Sequence, residues 1–380
     1  MKRLTTLALI AGLCTAVGLF LSSGLHDVAA ALVSAGWGML AVVLARFVAV
    51  AWAGLGWFVV FPSRERPQLS DCVSLRFVRE GINTLLPVAA VGGDFIGARL
   101  LAKRGVSGGM AGASMVVDLM TQALTQLLFT IGGLALLVWL KGDGPVVRAV
   151  AGGVAVAVPA LFAFYLIQRR SGHRLIQAAL GRFASGREWR VFGAVDVLYA
   201  NLRRLYGNGA RVLNAIAIHL FGWVIGTAEV WICLHAMGYP VSFAEALVIE
   251  SLAQAVRGAA FAIPGALGAQ EGGLIALCAI FGIPVEAALA LSLVKRLADL
   301  AIGVPSLFLW HAIERGAKPA SEPQASQASS PSQAEEGFAA IRDRLGRAFE
   351  PAPLQPAYGV AAGNLGHTVD IERGELKKCA

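Results

Sequence analysis

The sequence predicts an all-α polytopic integral membrane protein with about six full spans and two Pro/Gly-broken, re-entrant hairpins that form an inverted repeat. Three observations lead there. Mean hydropathy is +0.66, with 57% hydrophobic and 15% charged residues, far from the balance of a soluble domain. Apolar runs long enough to cross roughly 30 Å of hydrocarbon alternate with basic loops. Two further apolar stretches are interrupted by proline and glycine, which in hydrocarbon is tolerated only where the freed backbone is buried in protein or lines a cavity.

Residues 1–21 open with Lys2 and Arg3 ahead of an apolar core and read as an uncleaved first span with a cytoplasmic N-terminus. The second span covers 36–61 and ends in a charged cytoplasmic loop. It carries Arg46, which either faces protein or water or snorkels to the interface. Residues 76–105 are apolar but basic at both ends, so a single crossing would put Lys103 and Arg104 outside. A hairpin that enters and leaves on the cytoplasmic side, bending near Pro87 and Gly92–Gly93, removes that conflict. The span 109–140 then runs outward with Asp118, Gln122 and Gln126 on one stripe, suited to helix packing or to lining a path.

A span over 145–167 returns inward to the loop 169–211, where nine arginines face Glu188 and Asp196. Apolar residues among those arginines suit amphipathic helices on an anionic leaflet; a plain positive-inside loop accounts for the charge alone. The span 212–237 contains Glu229. Residues 242–283 form the second broken pair, and 286–310 the last span. Residues 1–312 thus make the membrane domain, while 313–380, rich in Ser, Ala, Pro and Gln, read as a disordered cytoplasmic tail.

The two broken stretches share a spacing. Pro87 precedes Asp94 by seven residues, and Pro264 precedes Glu271 by seven. Seven residues before each proline stands a charge, Glu80 in one and Arg257 in the other. Units of this kind in opposite orientation are the mark of inverted-repeat transporters, whose broken-helix ends hold polar groups near the midplane. The acids suit either that role or the capping of amides freed in their own hairpins. Lys295, Arg296 and Asp299 lie three to four residues apart, so mutual neutralisation on one helix competes with a place on the path.

These residues, REGINTLLPVAAVGGDFIGARLL at 79–101 and ESLAQAVRGAAFAIPGALGAQEGG at 250–273 followed by ALALSLVKRLADL, resemble the flippase-like membrane region shared with lysylphosphatidylglycerol synthases, most closely its hopanoid-biosynthesis-associated branch. The likeness spans about residues 5–312. The family pattern usually carries Glu where this chain has Asp94, which keeps the charge with a shorter reach. In the synthases a soluble aminoacyl-transferase domain follows; the tail here has too few apolar residues for one, so lipid aminoacylation is not implied. What the resemblance implies is movement or presentation of a lipid, phospholipid or hopanoid, across the bacterial inner membrane, with both termini cytoplasmic.

On that reading a headgroup path runs past Arg79, Glu80, Asn83, Pro87, Asp94 and Arg99 on the inner approach. Arg257, Pro264, Gln270, Glu271, Lys295, Arg296 and Asp299 form the outer one. Two rival classes stay open: a non-transporting partner of other lipid-biosynthesis or transport proteins, docked through the basic loop, and an intramembrane lipid-modifying transferase using Asp94 and Glu271. No nucleophile–base pair is evident, and the six histidines and five cysteines lack metal-ligand spacing. No Walker or GxGxxG motif calls for a nucleotide cofactor. The positive charge lies between apolar spans, so it fixes topology rather than marking a nucleic-acid surface.

Overall fold

The computed structural model describes residues 25–86, 92–169, 172–174, 189–260 and 263–316. The first predicted span, Pro87 at the first bend and the tail beyond residue 316 lie outside them. The described regular elements are all helical: α1 (Leu25–Ser34), α2 (Gly38–Val60), α3 (Leu69–Leu85), α4 (Gly92–Lys103), α5 (Gly108–Lys141), α6 (Pro145–Ile167), α7 (Trp189–Tyr206), α8 (Gly209–Ala236), α9 (Phe243–Ala259), α10 (Ala269–Ile280) and α11 (Val285–Gly316). Local chemistry sets several starts. Ser107 and Asn208 accept the Met110 and Arg211 amides as N-caps of α5 and α8, and Ser242 with Glu245 forms a capping box on α9.

Four of these helices, α2, α5, α6 and α8, are long and apolar enough to cross a membrane. The predicted span 286–310 lies within the longer α11, 32 residues, whose Lys295, Arg296 and Asp299 are turned onto neighbouring helices. The protein is a multi-pass membrane protein.

Helix packing follows one rule twice. α1–α5 and α7–α11 are equivalent sets joined by α6, and the main contacts in one set have their counterparts in the other. α3 packs on α11 as α9 packs on α5; α1 lies on α11 as α7 lies on α5; α4 folds back on α3 as α10 does on α9. The equivalent helices α2 and α8 form the largest interface and run antiparallel: Gly38 meets Ala236 near one end, while Trp52 donates to the Ile218 carbonyl and Gly56 meets His219 near the other. Antiparallel equivalents make the repeat an inverted one.

The register is visible in the sequence once the packing is known. The separation that pairs Pro87 with Pro264 and Asp94 with Glu271 also pairs Gly81 with Gly258, Gln126 with Gly303 and Asp118 with Lys295. Accordingly, Gly81 packs against Gly303, and Gly258 against Gln126. Among the described residues there are two main apolar cores, each completed by residues from the other set. One centres on Trp57, Leu75, Ile82, Leu101 and Val117, the other on Val230, Ile249, Leu252, Leu274 and Leu291.

Of the basic segment, residues 175–188 lie outside the described residues and α7 is described. α7 is amphipathic, but Tyr199, Leu202 and Leu205 are buried within the first core and not presented to a leaflet. Burying that apolar stripe against α5 removes it from both water and lipid.

Candidate functional site

The first broken hairpin is held by charge. Gly93 and Gly97 let α4 approach α3 closely, since a Cβ on Gly93 would stand 2.4 Å from the Arg79 carbonyl oxygen. That approach brings Asp94 to Arg79, whose Nε donates to it at 2.8 Å, while Nη1 donates to Asp118 at 2.7 Å. Asn83 donates to Asp94 and accepts the Gly93 amide at the start of α4. Asp118 also accepts from Gln122 and meets His219 Nε2 at 3.0 Å. Arg79 is 1% exposed and lies over the Trp57 ring.

The second break is described in its backbone. Gly265 (φ 64°), within the short turn Pro264–Ala266, and Gly268 (φ 78°), just ahead of α10, take positive-φ conformations. Glu271 accepts the Gly268 amide at 2.7 Å, so it does cap its own hairpin. Arg296 straps the break, donating from Nε to Glu271 and from Nη1 to the Gly265 carbonyl. Ser292 accepts from Gln270 and donates to Glu271.

A third cluster joins both repeats. Arg46 pairs with Glu229 at 2.9 Å and with Asp299 at 3.6 Å, Arg257 pairs with Asp299, and Lys295 pairs with Glu250 and Glu229. Three cations meet three acids here. Arg46 therefore faces protein. Mutual neutralisation of Lys295, Arg296 and Asp299 along α11 is not what forms: each takes its partner from a different helix, because the bundle buries α11 and brings opposite charges closer than the helix surface does.

Between the repeats lies a partly open cavity of about 200 Å³, lined from α2, α3, α5, α8 and α9. Arg46, Arg76 and Arg257 line it with Glu80, Glu229 and Glu250, alongside Gln122, His219, Trp223 and Gln254. Of the predicted path residues, only Glu80 and Arg257 reach this cavity. Arg79, Asn83 and Asp94 stand behind it; Gln270, Glu271 and Arg296 belong to the second break; Lys295 and Asp299 anchor the mixed cluster. Arg99 is apart from all three clusters and pairs with Glu314 on the surface. Pro264 forms the turn itself, and Pro87 lies outside the described residues.

The cavity is thus walled by the first legs of the hairpins, α3 and α9, and not by the helices that carry Asp94 and Glu271. Sequence reasoning had pointed to Arg46, Gln122 and Glu229 as polar anomalies in apolar runs but not to a shared site. Arg76, His219 and Gln254 gave no separate signal. Gln122 lines the cavity while Gln126 bonds the Gln254 carbonyl, so the polar stripe of α5 both lines and packs.

A family model described as lysylphosphatidylglycerol synthase TM region matches residues 6–305. Searches of curated proteins and of solved structures return no match.

Proposed function

The chain belongs to the family of the lysylphosphatidylglycerol synthase transmembrane region, and from that membership we propose that it is a lipid transporter of the bacterial inner membrane, with both termini cytoplasmic, serving a hopanoid or another polar lipid. The headgroup occupies the cavity between the inverted repeats while the tails stay in the bilayer. A site at the interface of inverted repeats can be opened to either side by rocking one repeat against the other.

One observation carries this reading. The Nε–H groups of Arg46 and Arg76 are buried without a hydrogen-bond partner among the described residues, and both side chains line the cavity. Unused guanidinium donors beside a cavity suit the oxygens of a phosphate or hydroxyl group. The acids opposite suit hydroxyl or ammonium groups. The predicted path residues behind the wall, Arg79, Asn83, Asp94, Gln270, Glu271, Lys295, Arg296 and Asp299, then hold the repeats in shape, and Glu80 and Arg257 contact the headgroup.

The test is leaflet exchange of a fluorescent phospholipid and of a polar hopanoid in proteoliposomes, comparing the intact chain with Arg76→Gln and Arg257→Gln. Each substitution should slow exchange about tenfold or more, the scale of one charge-assisted hydrogen bond. Exchange by the intact chain that neither substitution alters would remove the cavity from the pathway, and no exchange of either lipid would end the transport reading. The faster of the two lipids identifies the preferred class.

A further inference from the structure

Every arginine and glutamate on the cavity wall has an ion-pair partner within the protein. Among the described residues Arg46, Arg76 and Arg257 line the cavity with Glu80, Glu229 and Glu250, three cations and three acids. Arg46 pairs with Glu229 at 2.9 Å, Arg76 with Glu80 at 3.3 Å, Arg257 with Asp299 at 3.1 Å and Lys295 with Glu250 at 2.8 Å. Glu80 and Arg257 stand at equivalent positions of the two repeats, each seven residues ahead of its proline, so the repeat itself adds no excess of either sign. A headgroup that carries charge finds no free counter-charge here. It would enter a partly desolvated site with its charge unmatched, or pull a wall residue from its partner, and either is costly.

What the wall does offer is hydrogen bonding that leaves the ion pairs intact. Arg46 and Arg76 keep buried Nε–H donors without a partner among the described residues. Acceptors stand beside them. Glu80 takes Arg76 through Oε2, and Glu229 meets both Arg46 and Lys295 through Oε2, while a carboxylate offers about four acceptor sites. A hydroxyl donates and accepts through one atom, so it can join an arginine N–H to a carboxylate without breaking the pair. Trp223 lines the same cavity with its N–H engaged by Thr125, which leaves the body of the indole for an apolar carbon skeleton.

We infer that the cavity takes an uncharged, hydroxyl-rich headgroup, a sugar or polyol, and discriminates against headgroups that carry phosphate or amine charge. The inference rests on the cavity's being the headgroup site and narrows the class of polar lipid that it serves. A glycosyl diacylglycerol and a polyol-bearing hopanoid present the same hydroxyl chemistry on different skeletons.

The experiment uses the full chain in a polyoxyethylene detergent, which brings no sugar of its own. An equimolar mixture of monoglucosyl diacylglycerol, a polyol-bearing hopanoid, phosphatidylethanolamine, phosphatidylglycerol and stearylamine is added, and bound lipid is read by native mass spectrometry. Cavity-bound lipid is the fraction lost in Ala49→Trp, which places a large side chain on the cavity wall; thermal unfolding reports whether this variant is folded. At least one hydroxyl-rich lipid should be retained about tenfold or more over each of the three charged ones, the scale of one unmatched charge. Which of the two is retained names the skeleton. Two further variants read the same wall independently of Ala49→Trp. Glu80→Gln leaves the wall one acid short and should raise the ratio of phosphatidylglycerol to stearylamine about threefold or more. Arg257→Gln should lower that ratio by a like factor, whereas lipid held only around the outside of the bundle would not follow the sign of the cavity. A charged lipid retained as well as the hydroxyl-rich ones, or a ratio that the two charge variants leave unchanged, would overturn the inference. Leaflet exchange measured separately keeps the two readings apart: exchange without this selectivity ends only the inference, and selective retention without exchange ends only transport.

Discussion

The two hairpins are built to one plan and locked by different chemistry. In the first, the buried Arg79 reaches two acids at once, and Asn83 caps the helix that follows. In the second, Glu271 caps its helix directly, and Arg296, whose side chain is 23% exposed, braces the break from outside. Asp118 and Lys295 fall at equivalent positions of α5 and α11 yet bear opposite charge. The inverted repeat therefore conserves helix contacts and glycine positions, while its charges are distributed differently in the two halves.

Substitution at the two braces should widen this contrast most. Arg79→Met leaves Asp94 and Asp118 buried without their main partner and should lower stability by about 3–5 kcal/mol. Arg296→Met should lower it by about 1–3 kcal/mol, because Glu271 keeps the Gly268 amide and Ser292. Thermal unfolding in detergent reads both; equal losses would mean that the two locks are energetically the same.

The glycine pair tests the shared geometry. Gly81→Ala drives a methyl to 2.8 Å from Ser306 Cβ and 2.9 Å from the Gly303 carbonyl oxygen, and should cost about 1–3 kcal/mol through overpacking. At the equivalent Gly258 the methyl meets the end of the Gln126 side chain at 3.0 Å, which can move, so the loss by the same measurement should be smaller. A reversed order would break the proposed register.

The smallest effects concern the edges. Ser242→Ala removes one side of the capping box on α9 and should cost about 1 kcal/mol. Arg99→Ala, which cuts a surface pair to Glu314, should change stability by about 0–1 kcal/mol and leave lipid exchange unchanged. Slowed exchange in this variant would bring Arg99 back to the inner approach.

Much of the architecture was legible before any fold was known. Composition and charge placement gave a helical membrane protein, and the spans 36–61, 109–140, 145–167 and 212–237 needed only small adjustment at their ends. Proline, glycine and the seven-residue interval to Asp94 and Glu271 located two breaks and their kinship. The acids themselves were a less reliable guide. A carboxylate seven residues past a proline is equally suited to a ligand and to a helix cap, and Glu271 proved to cap.

Sequence by itself determined which segments enter the membrane, because hydropathy and the obligation to satisfy backbone hydrogen bonds act locally along the chain. Which buried charges meet was decided only by the tertiary structure. Arg46 and Asp299, or His219 and Asp118, lie on different helices, and their pairing depends on the antiparallel packing of α2 on α8 and on the faces that α5 and α11 turn inward. A charge tally over the chain is likewise blind to these pairings, which exist only once folding has brought the helices together.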